Sequence, residues 1–193
     1  LNKLKISIIG SRKPTKYSQQ MTRNLALAAS KANMCVVSGG AMGIDAIAHL
    51  GAKSSNTISV LPCGIDIKYP AVNKNLLTEI ENNGLLISQF KLGFKATAYS
   101  FVLRNEVVVA LGDVLIVAEA DFNSGSMRSI EFALKMGKEI YVFPQRLGES
   151  EATNELLKNN KAKAIYNIDE FIYKLSGINT KNDKNDDEFI NFC

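Results

Sequence analysis

Short apolar runs recur along the chain, separated by glycine-containing turns and by stretches in which apolar residues follow a helical spacing. The runs are rich in Val and Ile and alternate little with polar residues, which is typical of strands buried on both faces of a sheet. Six strands are predicted, at residues 4–9, 34–37, 57–61, 85–88, 114–117 and 139–143.

Helical patterns fill the intervals between these strands and continue after the last one. The predicted helices lie at residues 18–32, 43–53, 72–83, 100–111, 126–136, 152–159 and 168–175. Strands that alternate with helices of this length form parallel sheets with right-handed crossovers. The pattern therefore predicts an α/β protein with a doubly wound, mostly parallel sheet and helices on both faces. We expect the last two helices to pack at the sheet edge.

Length and composition indicate one folded domain. The chain has 193 residues, of which 46% are hydrophobic and 22% charged, and this suffices for a well-buried core. We place the domain at residues 1–178 and predict a polar, acidic tail at 179–193. The net charge of +4 and the acidic tail leave a basic body, which is compatible with a polyanionic partner.

Other compositional features exclude several classes of site and compartment. No apolar run is long enough for a membrane span, and no signal segment is visible, so we predict a cytoplasmic protein without a membrane partner. The three cysteines are scattered and His49 is the only histidine. A zinc site is therefore disfavoured, and a reducing compartment is indicated.

Glycine- and serine-rich turns follow four of the predicted strands, at residues 10–15, 38–45, 62–64 and 120–126. In open parallel sheets, the loops beyond the carboxyl ends of the strands gather at one edge, where ligands bind. The turns at 38–45 and 120–126 lead directly into helices, so free backbone N–H groups and the positive ends of helix dipoles should face a shared crevice. Arg12 and Lys13 add formal charge. The predicted ligand carries phosphate.

Simpler interpretations of the same residues stay open. The glycines can serve tight turns alone, and Arg12 and Lys13 can be a solvated pair. Ser124 and Ser126 are good helix-capping residues with or without a ligand. Histidine inside a helix, as at His49, is more often packed than catalytic.

Enzymatic and cofactor sites find little support. The turn at residues 10–15 has one glycine instead of the dinucleotide fingerprint, and the second strand ends in Ser38 and Gly39 instead of an acidic residue. The chain also lacks a Walker A loop and the G-x-S-x-G motif of a nucleophilic serine. We expect no cofactor, no metal and no catalytic residues.

Taken in order, the turns resemble the DNA-processing protein A family, known as DprA or Smf. The matching residues are Ile9-Gly10-Ser11-Arg12-Lys13-Pro14-Thr15, Val37-Ser38-Gly39-Gly40-Ala41-Met42-Gly43-Ile44-Asp45 with His49, Cys63-Gly64-Ile65-Asp66 with Tyr69-Pro70 and Asn73, Asn83-Gly84, Ser100-Phe101 with Arg104-Asn105, and Glu119-Ala120 with Ser124-Gly125-Ser126. They span about residues 4–145.

The resemblance implies an extended Rossmann-like core and a non-enzymatic protein of natural transformation. Such a protein binds incoming single-stranded DNA without reading its sequence, protects it and loads RecA, and it acts as a homodimer. The binding residues implied are Ser11, Arg12, Lys13, Ser38, Gly39, Gly40, Ala41, Gly43, Phe101, Arg104, Asn105, Ser124, Gly125 and Ser126.

Within this set, the loops would hold the phosphodiester backbone, which carries no base identity. Phe101 would offer a base a flat apolar face, and stacking needs an unpaired strand. Packing of Phe101 in the core of its helix is the alternative interpretation.

The sequence departs from the family pattern at several positions. Glu106 stands where the family usually has arginine, and Ala98 and Tyr99 stand where a basic residue is common, so we expect a weaker DNA contact near Phe101. Gln145 follows Pro144 where glycine is usual. We also expect the family's C-terminal winged-helix-like module to be missing from this sequence.

The main alternative is a nucleotide phosphoribohydrolase-like enzyme on a similar fold. Such enzymes carry a proline-glycine-glycine loop followed by Gly-Thr-x-x-Glu. The loop is absent here, and Glu131 comes two residues too late after Ser124-Gly125-Ser126. A protein-interaction domain would leave the clustered anion loops unexplained.

Overall fold

The computed structural model describes residues 3–177 and confirms the predicted fold class. Its strands are β1 (Lys5–Ile9), β2 (Cys35–Ser38), β3 (Thr57–Leu61), β4 (Leu85–Ser88), β5 (Val114–Val117), β6 (Glu139–Val142) and β7 (Lys163–Ala164). They form one sheet in the order β4-β3-β2-β1-β5-β6-β7, and every pair of neighbours is parallel.

Within residues 3–177, seven helices connect or follow the strands. They are α1 (Lys16–Lys31), α2 (Ile44–Ala52), α3 (Lys74–Asn83), α4 (Ala98–Leu111), α5 (Ser126–Lys135), α6 (Glu151–Lys158) and α7 (Ile168–Leu175). Short 3-10 turns occupy Ser54–Asn56 and Ala71–Asn73. The predicted elements therefore exist, with ends that shift by a residue or two, and β7 is the one strand that the hydrophobic pattern did not indicate.

The sheet is buried on both faces, as its Val- and Ile-rich strands predicted. Ile6 and Ile8 of β1 point into a core shared with α1, α2 and α7. Ile9 lies in a second core, which includes residues of α4, α5 and α6. A smaller third cluster packs α3 against the β3 and β4 side. This burial on two faces fixes the strand order that positions the functional loops.

The direction in which successive strands are added to the sheet reverses at β1. The chain runs outward from β1 through β2 and β3 to β4, and then returns to β5 on the other side of β1. Connections on the two sides of such a switch point leave the sheet on opposite faces, so a crevice opens beyond the carboxyl ends of the strands there. The loops after β1, β2 and β5 meet at this place.

The last two helices complete the edge of the sheet, as predicted. β7 pairs with β6 through Tyr141 and Lys163, and the ring of Phe171 on α7 meets the ring of Tyr141 edge-on at 4.8 Å. None of the helices within residues 3–177 combines the length and apolar character needed to cross a membrane. The predicted acidic tail at 179–193 lies outside the described residues, so the boundary at residue 178 stays a prediction.

His49 on α2 is a neutral, packed histidine. Its Nδ1 lies 2.7 Å from Thr57 Oγ1, and the Thr57 hydroxyl donates its single hydrogen to Val36 O. Nδ1 must therefore carry the proton that His49 donates to Thr57. The buried Nε2 has no partner among the described residues, so a second proton there would have no acceptor. Burial and the nearby Arg104 charge lower the pKa of His49 to about 3.

We expect His49 to make stability fall as pH falls. At pH values between the unfolded pKa of His49, 6.5, and its folded pKa of about 3, the unfolded state binds a proton that the folded state does not bind. Lowering the pH from about 7 to about 5 should cost about 2 kcal/mol of unfolding free energy through this group. Urea denaturation of the wild type and of His49→Gln across this range measures the difference, and equal pH slopes for the two proteins would contradict it.

Candidate functional site

A cavity of about 730 Å³ opens at the switch point of the sheet. We call it the first cavity. Its lining comes from the β1–α1 loop, the β2–α2 loop, one side of α4 and the start of α5. Predicted site residues in the lining are Ser11, Arg12, Gly39, Ala41, Phe101, Arg104, Asn105, Ser124, Gly125 and Ser126. The turns that the sequence placed at one edge of the sheet thus meet around one space.

The other predicted site residues lie outside the lining. Ser38 is buried and donates to Ile8 O at 2.6 Å, which joins the ends of β1 and β2. Gly40 and Gly43 adopt positive φ values of 69° and 75°. A Cβ on Gly43 would come within 2.4 Å of Ser11 O, so glycine lets the two loops approach. Lys13 is exposed at the rim.

Glu119, at the end of β5, holds the β1–α1 loop at both ends. Its backbone carbonyl accepts from Ser11 N at 3.0 Å, and its carboxylate accepts from both the backbone N–H and the hydroxyl of Thr15 at 2.9 Å. Thr15 in turn caps α1 by accepting from Ser18 N at 3.2 Å. These contacts fix the β1–α1 loop, and Arg12 is exposed on this loop beside the cavity.

Asp45 occupies part of the anion site that the β2–α2 loop was expected to offer a ligand. Its carboxylate accepts from Ala41 N at 3.3 Å and lies 3.6 Å from Arg104 Nη1. The backbone of Gly39 lies next to the same carboxylate. Burial raises the pKa of Asp45, and the Arg104 charge and these loop amides oppose the rise. Asp45 therefore neutralises part of the positive potential of this loop, and that part is not available to a ligand.

Arg104 forms the floor of the cavity and is almost fully buried. A Cβ on Gly39 would lie 1.2 Å from Arg104 Nη1, so the guanidinium packs directly on the glycine backbone. Burial lowers the pKa of Arg104, and Asp45 counteracts that shift. Sequence reasoning selected Arg104 and Gly39 but missed Asp45, although an acidic residue in the first turn of a helix is a recognisable signal for contacts to the preceding amides.

Phe101 lies on the cavity wall and is half-buried, outside the three core clusters. The guanidinium carbons of Arg12 and Arg104 lie 5.4 and 5.6 Å from its ring centroid. Tyr69 meets the ring edge-on, with centroids 5.9 Å apart. The ring is therefore held in place by two cations and a second aromatic side chain.

The start of α5 forms the opposite wall. This helix begins at Ser126 after Gly125 and has no side-chain cap. The hydroxyl of Ser124 is buried and has no hydrogen-bond partner in the described part of the chain. Asn105 Nδ2 reaches Gly125 O at 3.5 Å, so α4 and the α5 loop are in contact. An uncapped helix start with a free hydroxyl is suited to an anion.

The charged side chains in the lining of the cavity are mostly basic. They include Arg12, Arg104 and Arg128, and Asp45 is the one carboxylate of the lining among residues 3–177. Glu106 does not reach the lining, and Glu131 pairs with Arg128 at 2.8 Å outside it. Residues 3–177 contain no group of three or more His, Cys, Asp or Glu side chains that could hold a metal ion. The arrangement can bind an anion and lacks a second carboxylate for acid–base work.

Comparison with known proteins identifies close relatives. The family model described as DNA recombination-mediator protein A matches residues 1–176. The Smf protein of Synechocystis is 32% identical over 176 residues, which cover 90% of this chain and 44% of that protein. This chain spans about half the length of the curated relatives it matches.

Two solved structures share the fold closely. DNA processing protein A from Helicobacter pylori, reported for its single-stranded DNA binding mode, superposes with a TM-score of 0.87 at 46% identity over 89% of this chain and 80% of that chain. The Streptococcus pneumoniae protein gives a TM-score of 0.80 at 28% identity, covering 89% of this chain and 62% of that one.

Proposed function

Because this chain belongs to the DNA recombination-mediator protein A family, we propose that its first cavity binds single-stranded DNA without reading the base sequence. One observation carries the proposal: arginines, an uncapped helix start and an aromatic ring from three separate segments line one cavity. Phosphates supply the charge that such a lining attracts, and they are the same at every nucleotide. The Helicobacter pylori relative, which binds single-stranded DNA, supports this ligand.

Preference for an unpaired strand follows from the position of Phe101. A base can approach this ring only when it is not paired and stacked within a duplex. Arg12 is exposed beside the ring, so it is placed to meet a phosphate next to a base that stacks there, whereas the buried Arg104 helps to hold the ring. Glu106 lies outside the cavity lining, and its charge therefore acts on the strand from farther away than the family comparison had implied.

A binding titration with single-stranded and duplex oligonucleotides of the same sequence, each at two salt concentrations, tests this function. We expect tighter binding of the single strand, because stacking contributes about 1–3 kcal/mol per base. We also expect affinity to fall steeply with added salt, since phosphate binding releases counterions. Equal affinity for both forms would remove the stacking contact, and affinity independent of salt would remove the phosphate contact.

We further propose the cellular role that family membership suggests. The protein would protect incoming single strands in natural transformation, in the cytoplasm, and load RecA on them. A nuclease-protection assay tests the first part. Acceleration of RecA filament formation on strands already bound by this protein tests the second, and an unchanged rate would exclude loading by residues 1–193.

We propose that the protein acts as a homodimer, because two cavities on one strand gain avidity that a single cavity lacks. Within residues 3–177, one side of β7 pairs with no other strand, and we propose that side as the contact surface. β7 is the terminal strand of the described sheet, and Tyr166 beside it is 88% exposed. Sedimentation of the wild type and of Tyr166→Glu tests this, with dissociation expected for the variant and a monomeric wild type contradicting it.

A non-enzymatic role fits the cavity better than hydrolysis of nucleotides. The phosphoribohydrolase alternative needs a glutamate that acts on the N-glycosidic bond, and the nearby Glu131 is paired with Arg128 outside the cavity. Release of free base from a nucleoside monophosphate would overturn this part of the proposal.

A further inference from the structure

A second cavity, of about 580 Å³, lies beside the start of α1. We call it the second groove. The first turn of α1 forms one side of it, with Lys16 and Tyr17, and the β6–α6 loop forms the other, with Gln145 and Arg146. It opens at the same edge of the sheet as the first cavity, because it too lies beyond the carboxyl ends of β1 and β6.

The two sides of the second groove are fixed to each other. Gln145 Nε2 donates to Ser18 Oγ at 3.1 Å and to Ala118 O at 3.0 Å, so the β6–α6 loop is tied to α1 and to the end of β5. These bonds also orient the Gln145 amide. Its Oε1 is shielded from solvent and meets no donor among residues 3–177. The second groove is therefore a preformed space between two joined segments.

The lining of the second groove combines positive charge with an aromatic ring. Lys16 and Arg146 are both exposed, and neither forms an ion pair within the described residues. Among residues 3–177, Glu149 is the one carboxylate in the lining, so this part of the groove is net positive. Tyr17 is 43% exposed. Cations beside an exposed aromatic face are the lining that tracks an unpaired nucleic-acid strand.

The β1–α1 loop joins the second groove to the first cavity. Ser11 and Arg12 line the first cavity, whereas Lys16 and Tyr17 line the groove. The chain from Arg12 to Lys16 can span at most about 14 Å even when fully extended. Lys13 is exposed on this loop, so positive charge continues along the rim from the first cavity to the second groove.

We propose that the second groove holds the nucleotides of the same DNA single strand that extend past the first cavity. Lys16 and Arg146 contact its phosphates, and Tyr17 stacks on a base. This inference rests on the proposed function of the first cavity, because it extends the strand bound there. It predicts that affinity depends on oligonucleotide length through these residues.

The test compares oligothymidylates of about 4 and about 16 nucleotides, which bracket the site sizes of single-strand binding folds. In the whole protein, Lys16→Ala/Arg146→Ala should leave the short oligonucleotide bound as in the wild type. The long one should bind at least fivefold more weakly, and its salt slope should fall by about 2, one for each lost phosphate contact. Tyr17→Ala should likewise weaken only the long oligonucleotide, by about fivefold or more.

Matched controls separate this outcome from general effects. Lys31→Ala/Lys135→Ala removes the same charge from the last turns of α1 and α5, at the opposite edge of the sheet, and should change neither affinity. Tyr17→Phe keeps the ring and should bind as the wild type does. Equal weakening for both lengths, or no loss for the long oligonucleotide, would overturn the inference. A wild type that binds neither length would overturn the proposed function itself and this extension with it.

Discussion

Replacing Arg104 with methionine is expected to lower the free energy of unfolding by about 3–5 kcal/mol, the usual cost of removing one partner of a buried ion pair. Both side chains of the pair are almost fully buried, and Arg104 Nη1 lies 3.6 Å from Asp45 Oδ2. Without the guanidinium, the Asp45 carboxylate keeps only its hydrogen bonds to the loop. Urea denaturation measures the change.

The double variant Arg104→Met/Asp45→Asn provides the control for this prediction. Asparagine keeps an oxygen that can accept from Ala41 N but carries no charge. We expect the double variant to be clearly more stable than the sum of the two single changes implies, because no unpaired buried charge is left. Additive losses would show that Asp45 and Arg104 do not act as a pair.

Replacing Arg12 with alanine is expected to weaken binding of single-stranded DNA by about 10- to 100-fold, which corresponds to a hydrogen-bonded contact with a charged group. Arg12 is exposed on the β1–α1 loop, which Glu119 holds in place, so loss of the Arg12 side chain should leave the fold intact. All oligonucleotide sequences should be affected alike, because the contact is with phosphate. Fluorescence anisotropy with two unrelated sequences measures this.

Two further variants make the Arg12 result specific. Arg12→Lys keeps the charge but not the two parallel hydrogen bonds of a guanidinium, so it should fall between the wild type and alanine. Arg23→Ala removes an exposed arginine from α1 outside both cavities and should bind as the wild type does. Loss confined to one of the sequences would contradict a phosphate contact at Arg12.

Most of the fold could be predicted from the sequence because its strands are buried on both faces. Such strands read as uninterrupted apolar runs, and the predictions for 57–61, 85–88 and 114–117 coincide with β3, β4 and β5. The sequence pattern did not predict β7, because two residues, Lys163 and Ala164, are too few to show a pattern. Their position depends on pairing with β6, which is a tertiary contact.

The sequence pattern placed the start of α1 too late, because the residues at its cap are polar. The apolar pattern predicted a helix from residue 18, but the helix begins at Lys16. Thr15 and its contacts to Ser18 and Glu119 set this start, and Glu119 lies on a distant strand. The second groove is lined by residues at this helix start and by the β6–α6 loop, which meet only in the folded protein, so the sequence pattern did not predict it.

The candidate site was predicted in its location and less well in its chemistry. Parallel strands bring their following loops to one edge, so the convergence of the loops followed from topology. The role of Asp45 did not, because its place in the first turn of α2 signals a contact to the loop amides but its pairing with Arg104 of α4 is a tertiary contact. The proposed phosphate contacts therefore shift toward Arg12 and the start of α5.

Amide NMR of the protein, titrated with a short oligothymidylate, measures directly whether the separate turns act as one site. The account predicts that the resonances of Ser11, Arg12, Gly125 and Ser126 shift together and saturate at the same oligonucleotide concentration. Shifts confined to one of these turns, or saturation at different concentrations, would contradict it.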